Sequence, residues 1–169
     1  VEPIEPGTVR DCREFIKKYN DVENFNVYGN ERFIYQYISD KYPETELKFD
    51  IEQIKLTTID IEVKSEYGFP DVESCAEEIL LITLQDYTTK QIRTWGLGAF
   101  NNKQENVIYK SFRTEYELLT DFINWWMIED NTPEVITGWN SKLYDIPYLC
   151  RRIDRILGEK LKKRMSPWG

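Results

Sequence analysis

The chain has 169 residues, 41% of them hydrophobic, and it carries a formal net charge of −8 with no histidine. A histidine-dependent catalytic triad is therefore excluded within these residues, and three scattered cysteines without a Cys-x-x-Cys pair argue against a zinc site. The negative charge argues against a protein that coats DNA through lysine and arginine, but it is compatible with an acidic metal site.

No basic leader followed by an apolar stretch opens the sequence, and the apolar run at 79–82 is too short to cross a bilayer. Widely spaced cysteines fit a reducing compartment. We therefore expect a cytoplasmic protein with no membrane partner. From valine at position 1 and the abrupt end at 166–169 we expect an excised piece of a longer protein, although processing could also remove an initiator methionine.

Apolar spacing predicts a short amphipathic helix over 9–19, and residues 24–50 have no clear assignment. We divide the chain into a partial N-terminal domain with its connector, residues 1–50, and a main domain, residues 51–169. The main domain has these predicted elements in chain order: strands over 54–64, 78–86, 91–97 and 107–110, a helix opened by the capping box Thr114-x-x-Glu117, a strand over 134–139, and a helix after Asp145 with Pro147 in its first turn. An antiparallel meander that passes into β-α-β units predicts an α/β mixed sheet with helices packed on it.

Two carboxylates, Asp60 and Glu62, lie two residues apart in the first strand of the main domain, so both side chains project from the same face. Ordinary alternation offers a second interpretation, in which this face is simply solvated. Asp145 lies where a strand gives way to a helix, and it could equally be a helix N-cap. Asn140 could simply form a local turn.

If the fold brings Asp60, Glu62 and Asp145 together, their oxygens form a site for hard divalent cations, and paired cations can drive displacement at phosphorus. The strand that ends at residue 139 could lie beside the strand that carries Asp60. The helix that follows would then start over the first two acids. Sites at strand ends and helix starts are common in α/β sheets.

The stretch Asp60-Ile61-Glu62 resembles the first exonuclease motif of family B DNA polymerases. Asn140-x-x-x-Tyr144-Asp145 resembles their second motif, Asn-x-x-x-Phe/Tyr-Asp. The similarity extends to the T-even bacteriophage type, through Gly68-Phe69-Pro70, Asp145-Ile146-Pro147-Tyr148, Arg152-Ile153, Gly158 and Arg164-Met165-Ser166-Pro167.

This resemblance implies an RNase H-like (DnaQ-like exonuclease) fold and a 3′→5′ exonuclease that removes misincorporated nucleotides within a DNA-directed DNA polymerase. It implies that two Mg²⁺ (or Mn²⁺) ions bind at the complete site, with Asp60 bridging both. Glu62 would hold the ion that activates water, and Asp145 the ion on the leaving-group side. Asn140 and Tyr144 would support the site, and Phe69 could stack on a frayed primer end, although loop packing is the plainer role for Phe69.

The third motif of the family, Tyr-x-x-x-Asp, does not follow Asp145, and the instance from Tyr67 to Asp71 lies upstream in a Gly- and Pro-containing loop. We therefore expect a fold truncated before its last strand and helix. Such a fragment would bind metal weakly, hydrolyse little DNA, and tend to self-associate through uncovered apolar surface. Partners implied by the resemblance are single-stranded or primer-template DNA, and a sliding clamp and replication proteins bound through missing regions.

Two other functions remain open: a noncatalytic exonuclease-like module that binds DNA or protein, and another RNase H-like nuclease. Basic residues crowd the C-terminal end and could contact a phosphate backbone or form a solvated helix face. This basic cluster comprises Arg151, Arg152, Arg155, Lys160, Lys162, Lys163 and Arg164.

Overall fold

The computed structural model describes residues 2–28, 32–43, 46, 48, 50–66 and 68–166. The chain divides into two compact units, residues 1–49 and residues 50–169. No helix in the described part of the chain is long and apolar enough to cross a membrane.

The first unit contains two helices, α1 (Val9–Tyr19) and α2 (Phe33–Lys41). Helix α1 begins at a capping box in which the Thr8 side chain accepts from the Asp11 amide and the Asp11 carboxylate accepts from the Thr8 amide. Helix α2 lies where the sequence allowed no assignment, and no side-chain capping hydrogen bond marks its N-terminus.

The second unit is a five-stranded mixed sheet with helices packed against it, which confirms the predicted α/β architecture. Its elements in chain order are a 3₁₀ turn at Ile51–Gln53, β1 (Leu56–Val63), β2 (Ile79–Asp86), β3 (Ile92–Leu97), β4 (Val107–Phe112), α3 (Glu115–Trp126), β5 (Val135–Thr137), α4 (Asp145–Leu157), α5 (Glu159–Lys162) and a 3₁₀ turn at Lys163–Met165. The strand order across the sheet is β4-β3-β2-β1-β5.

Strands β1, β2 and β3 pair antiparallel, as the predicted meander requires, and β5 pairs parallel with β1 after the α3 crossover. Strand β4 differs from a simple meander because it pairs parallel with β3. The connection over 98–106 can span about 30 Å when extended, which is enough for the chain to return along β3 before it pairs. The turn signals at 101–103 did not reveal this direction.

Helices α3 and α4 share one hydrophobic core with the sheet, so both cover the same face. Helix α3 begins at the predicted capping box of Thr114 and Glu117. Helix α4 ends at Gly158, whose φ of +91° suits glycine. The fully buried side chains include Ile59, Ile79, Ile82, Trp95, Leu118, Leu119, Phe122, Ile123, Tyr148, Leu149 and Ile153.

Candidate functional site

The acids of β1 alternate with buried isoleucines. Ile59 and Ile61 are buried in the core beneath α3 and α4, whereas Asp60 and Glu62 are exposed. Since successive strand residues point to opposite faces, the two carboxylates stand on the face of the sheet that α3 and α4 leave uncovered. The predicted alternation of this strand is confirmed.

Asp145 reaches β1 through its side chain. Its Oδ1 accepts a hydrogen bond of 3.1 Å from the amide of Ile61, the residue between Asp60 and Glu62, and the side chain is only 3% exposed. The N-cap interpretation of Asp145 is wrong, because the N-cap residue of α4 is Tyr144 and makes no side-chain cap. A one-residue shift of the helix start thus frees the carboxylate to bind the strand.

Asp145 can reach β1 because β5 pairs with β1 only over Leu56–Thr58. The edge of β1 beyond that pairing is left accessible to the start of α4. Gly138 follows β5 at a very close approach, since a Cβ there would lie 2.5 Å from the carbonyl oxygen of Ile59. Only glycine permits this contact without a shift of the backbone. The close approach directs the following turn, and with it the start of α4, toward Asp60 and Glu62 on β1.

Asn140 forms that turn through its main chain. Its φ is +56°, a left-handed conformation that asparagine tolerates better than most residues, and its carbonyl accepts from the amides of Leu143 and Tyr144 at 2.9 Å each. The interpretation of Asn140 as a turn residue therefore agrees with the structure. The turn sets the backbone of Tyr144 and, directly after it, of Asp145.

Burial raises the pKa of the Asp145 carboxyl, and the negative charge of Asp60 raises it further, while the Ile61 amide lowers it. The pKa of the Tyr144 phenol is raised by burial and then by the charges of Asp145, Cys75 and Glu62. The charge of Asp60 thus acts on the Asp145 carboxyl, and the charge of Glu62 acts on the Tyr144 phenol. Like charges gathered in this way favour a bound cation that neutralises them.

The donor chemistry of this cluster fits a hard divalent cation, because every candidate ligand is a carboxylate oxygen. Asp145 offers its second oxygen, since Oδ1 is engaged by the strand. Within the described ranges, however, no group of three or more potential ligands is close enough together to hold one ion. The structure joins Asp145 to the strand that carries Asp60 and Glu62, and these two acids stand on the same face of β1.

Phe69 lies in the loop between β1 and β2 and is 80% exposed. Its ring contacts the half-buried ring of Tyr144, with centroids 4.7 Å apart, and Tyr144 in turn contacts Tyr148 at 5.6 Å. Phe69 thus packs against the loop before α4 and still presents most of its surface. In the upstream Tyr-x-x-x-Asp stretch, Tyr67 lies outside the described residues, and Asp71 accepts a hydrogen bond from the Ser74 amide in a local turn.

Three arginines of the basic cluster bind the protein itself, a role that sequence reasoning missed. Arg152 forms two hydrogen bonds of 2.7 Å with the Glu115 carboxylate and two of 3.0 Å with the carbonyls of Cys75 and Ala76. Arg151 and Arg155 donate to further carbonyls of the same loop, those of Val72, Ser74 and Cys75. Helix α4 therefore carries Asp145 and, through these arginines, also holds the loop that carries Phe69.

A signal for this contact exists in the sequence. Glu115 occupies the first position of the apolar stripe of α3, and Arg152 lies among Tyr148, Leu149 and Ile153 on the stripe of α4. Opposite charges at core-facing positions of two helices indicate a buried pair, since a lone charge there would be too costly.

Comparison with known proteins assigns the chain to a family. Residues 7–169 match the family described as DNA polymerase family B, exonuclease domain. The chain is 32% identical to the DNA-directed DNA polymerase of Escherichia phage RB69 over 95% of its length, and 30% identical to that of Enterobacteria phage T4 over 96%. It spans about a fifth (20%) of the length of both phage proteins.

A shorter match reaches the DNA polymerase catalytic subunit of human herpesvirus 6A, with 35% identity over 59% of this chain and 10% of that protein. The family match covers nearly the whole chain, and the RB69 and T4 polymerases are 32% and 30% identical to it. The mixed sheet with flanking helices agrees with the same assignment. The chain therefore belongs to the exonuclease-domain family of family B DNA polymerases, of the type found in phages T4 and RB69.

Proposed function

We propose that this chain is part of a phage replicative DNA polymerase and contains most of its proofreading domain. The reaction is 3′→5′ hydrolysis of phosphodiester bonds at single-stranded or frayed DNA ends. The observation that carries this proposal is the hydrogen bond from the Ile61 amide to Asp145 Oδ1, which joins the second acidic motif to the first.

Asp60, Glu62 and Asp145 would hold two Mg²⁺ or Mn²⁺ ions. When bound, such ions supply an activated water and a counter-charge for the departing 3′ oxygen. The protein's own contribution is orientation. The Ile61 amide fixes one oxygen of Asp145, and the turn at Asn140 sets the position from which that side chain projects.

Phe69 and Tyr144 would receive the unpaired base at the 3′ end. Aromatic rings bind unpaired bases by stacking, and this contact tolerates any base. The Phe69 ring is 80% exposed and is supported from behind by the ring contact with Tyr144. Such a platform, adjacent to Asp145 in the chain, supports an end-binding role.

We further propose that the 169-residue chain alone binds divalent metal weakly and hydrolyses little DNA. No Tyr-x-x-x-Asp follows Asp145 in it, so the ligand and the water-orienting tyrosine of the third family motif are not supplied. Steady metal-dependent degradation of single-stranded DNA by the purified chain would contradict this expectation.

The proposal is tested in the complete polymerase with a 3′-labelled single-stranded oligonucleotide. Asp60→Asn and Asp145→Asn should each lower the hydrolysis rate by at least about 100-fold, because each removes a charged ligand. Asp154→Asn is the matched control, since Asp154 lies on the same helix but pairs with Lys162. Wild-type rates in both ligand variants would reject the hydrolytic proposal and favour a noncatalytic binding module.

Substrate preference separates the remaining alternative, another RNase H-like nuclease acting in repair or on RNA. The complete protein should degrade frayed 3′ DNA ends faster than RNA of the same sequence. A preference for RNA would overturn the replicative assignment.

We also propose a cytoplasmic location in the host cell, and contacts with a sliding clamp and other replication proteins through other parts of the polymerase. Self-association of the chain is proposed as well. It is supported by the edge position of β5 and by the exposure of Val135, Trp139 and Leu143 on and after that strand. Light scattering at high concentration should detect dimers or larger species, and a monodisperse monomer would contradict this.

A further inference from the structure

A row of polar side chains crosses the sheet next to the acidic cluster. Asp60 on β1 lies directly opposite Thr83 on β2, and Thr83 lies directly opposite Thr94 on β3. Directly opposed residues of neighbouring strands point to the same face of a sheet. The three side chains therefore stand in line on the face that α3 and α4 leave uncovered.

The two threonine hydroxyls are hydrogen-bonded to each other, with Oγ1 atoms 3.1 Å apart. Thr94 is only 8% exposed, so its hydroxyl depends on this bond. Either hydroxyl can donate in isolation, but an ionised carboxylate can only accept. If the row ends at Asp60, its direction is set: Thr94 donates to Thr83, and Thr83 donates to Asp60.

Opposed Cβ atoms in an antiparallel pair are about 4.5–5.5 Å apart, so a rotation of the exposed Asp60 side chain brings its carboxylate within reach of the Thr83 hydroxyl. Asp60 differs in this from Glu62, which lies opposite the apolar Leu81. Of the two acids on β1, only Asp60 has a hydroxyl directly across the ladder. The hydroxyl pair is thus matched to one specific carboxylate.

We propose that Thr83 is a positioning residue for Asp60: its hydroxyl, itself held by Thr94, donates to one carboxylate oxygen of Asp60 and fixes the orientation in which the other oxygen meets a divalent cation. This inference rests on the proposed function, because it assigns Asp60 to cation binding. Partners that orient metal ligands typically contribute about 10–100-fold to metal affinity or activity. The row therefore contributes through the ligand, without touching the cation.

The test measures Mn²⁺ affinity of the 169-residue chain by electron paramagnetic resonance, with hydrolysis by the complete polymerase as a second readout. Thr83→Val keeps the shape and removes the hydroxyl, and should weaken Mn²⁺ binding about tenfold. Thr83→Ser keeps the hydroxyl, and its Mn²⁺ affinity should lie within about threefold of the wild-type value, which a purely steric role would not predict. Thr94→Val should weaken Mn²⁺ binding by a factor between those of Thr83→Ser and Thr83→Val.

Thr120→Val is the matched control, because it makes the same isosteric change on α3, where the buried Thr120 hydroxyl has no hydrogen-bond partner among the residues that the structure describes. Thermal unfolding curves of all variants establish that each is folded. Equal Mn²⁺ affinity in Thr83→Val and wild type would overturn the inference, as would equal losses in Thr83→Val and Thr120→Val.

An Asp60→Asn variant separates this inference from the proposed function. Binding that Asp60→Asn abolishes but Thr83→Val leaves unchanged would reject only the role of Thr83. Wild-type hydrolysis by the complete polymerase with Asp60→Asn, or Mn²⁺ binding by the chain that Asp60→Asn leaves intact, would reject both.

Discussion

The buried ion pair between Arg152 and Glu115 offers a direct test of how α4 is held. The paired side chains are only 9% and 6% exposed, and they join α3 to α4. Arg152 also binds two carbonyls of the loop before β2, and Glu115 accepts from the Ile79 amide at the start of that strand. Replacement of Arg152 by Met preserves much of the volume and removes every one of the arginine's hydrogen bonds.

The expected cost of Arg152→Met is about 3–5 kcal/mol, because removing one partner leaves a buried carboxylate with no counter-charge. The Ala76 carbonyl loses the bond that Arg152 supplied, while the Cys75 carbonyl keeps a longer one from Arg155 at 3.3 Å. For a protein of this size, 1 kcal/mol corresponds to about 2–4 °C, so the melting temperature should fall by about 10 °C.

A second variant separates the charge from the packing. In Arg152→Met/Glu115→Leu both charges of the pair are removed, and apolar replacement of a buried ion pair is often neutral or stabilising. The Ile79 amide and the Ala76 carbonyl remain unpaired, so the double variant should lie about 1–2 kcal/mol below wild type. It should nevertheless be more stable than Arg152→Met alone.

Urea unfolding followed by tryptophan fluorescence measures these differences. Arg151→Met is the matched control, because the neighbouring Arg151 pairs with Glu73 at the surface, with 41% and 81% of the side chains exposed. It should cost less than about 1 kcal/mol. Arg152→Met within 1 kcal/mol of wild type, or a double variant less stable than the single one, would refute the reasoning.

Four further outcomes are expected. Gly138→Ala should destabilise the chain by about 1–3 kcal/mol and impair hydrolysis by the complete polymerase, since its Cβ would lie 2.5 Å from the Ile59 carbonyl oxygen; wild-type melting and hydrolysis would contradict this. Without metal, Asp145→Asn should be more stable than wild type at pH 7. Burial and the charge of Asp60 raise the folded-state pKa of this carboxyl, so its ionisation above about pH 4 lowers the stability of the wild type. The difference in stability between Asp145→Asn and wild type should therefore vanish in acid. Thermal melts across pH test this, and a less stable variant at pH 7 would oppose it. Phe69→Ala should leave stability nearly unchanged, because the ring is 80% exposed, but should raise KM for single-stranded DNA about tenfold; an unchanged KM in steady-state assays would remove Phe69 from DNA binding. Thr120→Val should stabilise by about 1 kcal/mol in urea unfolding because it removes an unpaired buried hydroxyl, and a loss of stability would mean that the hydroxyl has a partner.

Much of the fold could be predicted from local patterns. The alternation along β1 and the capping box at Thr114 both correspond to elements of the structure. Helix α2 was missed because it has no capping side chain and no buried residue, so neither signal marks it. The parallel direction of β4 was missed because strand direction depends on the path of the connection before it, and turn residues do not report that path.

The candidate site was predictable in its chemistry and less so in its geometry. Asp60 and Glu62 share a face because a strand repeats every two residues, a property that the sequence contains. The position of Asp145 was ambiguous because its role depends on whether α4 begins at residue 145 or one residue later. The hydrogen bond to the Ile61 amide resolves that ambiguity in favour of the strand.

By itself, the sequence determined the period of most elements of the main domain, the oxygen-only character of the acidic cluster and the family of the chain. Tertiary structure alone decided which distant residues meet: Asp145 with the Ile61 amide, Arg152 with Glu115, and Thr83 with Thr94. The physical reason is that periodicity and capping depend on residues within one or two turns of each other. Contacts between remote segments depend on strand register and helix packing, which only the assembled core sets.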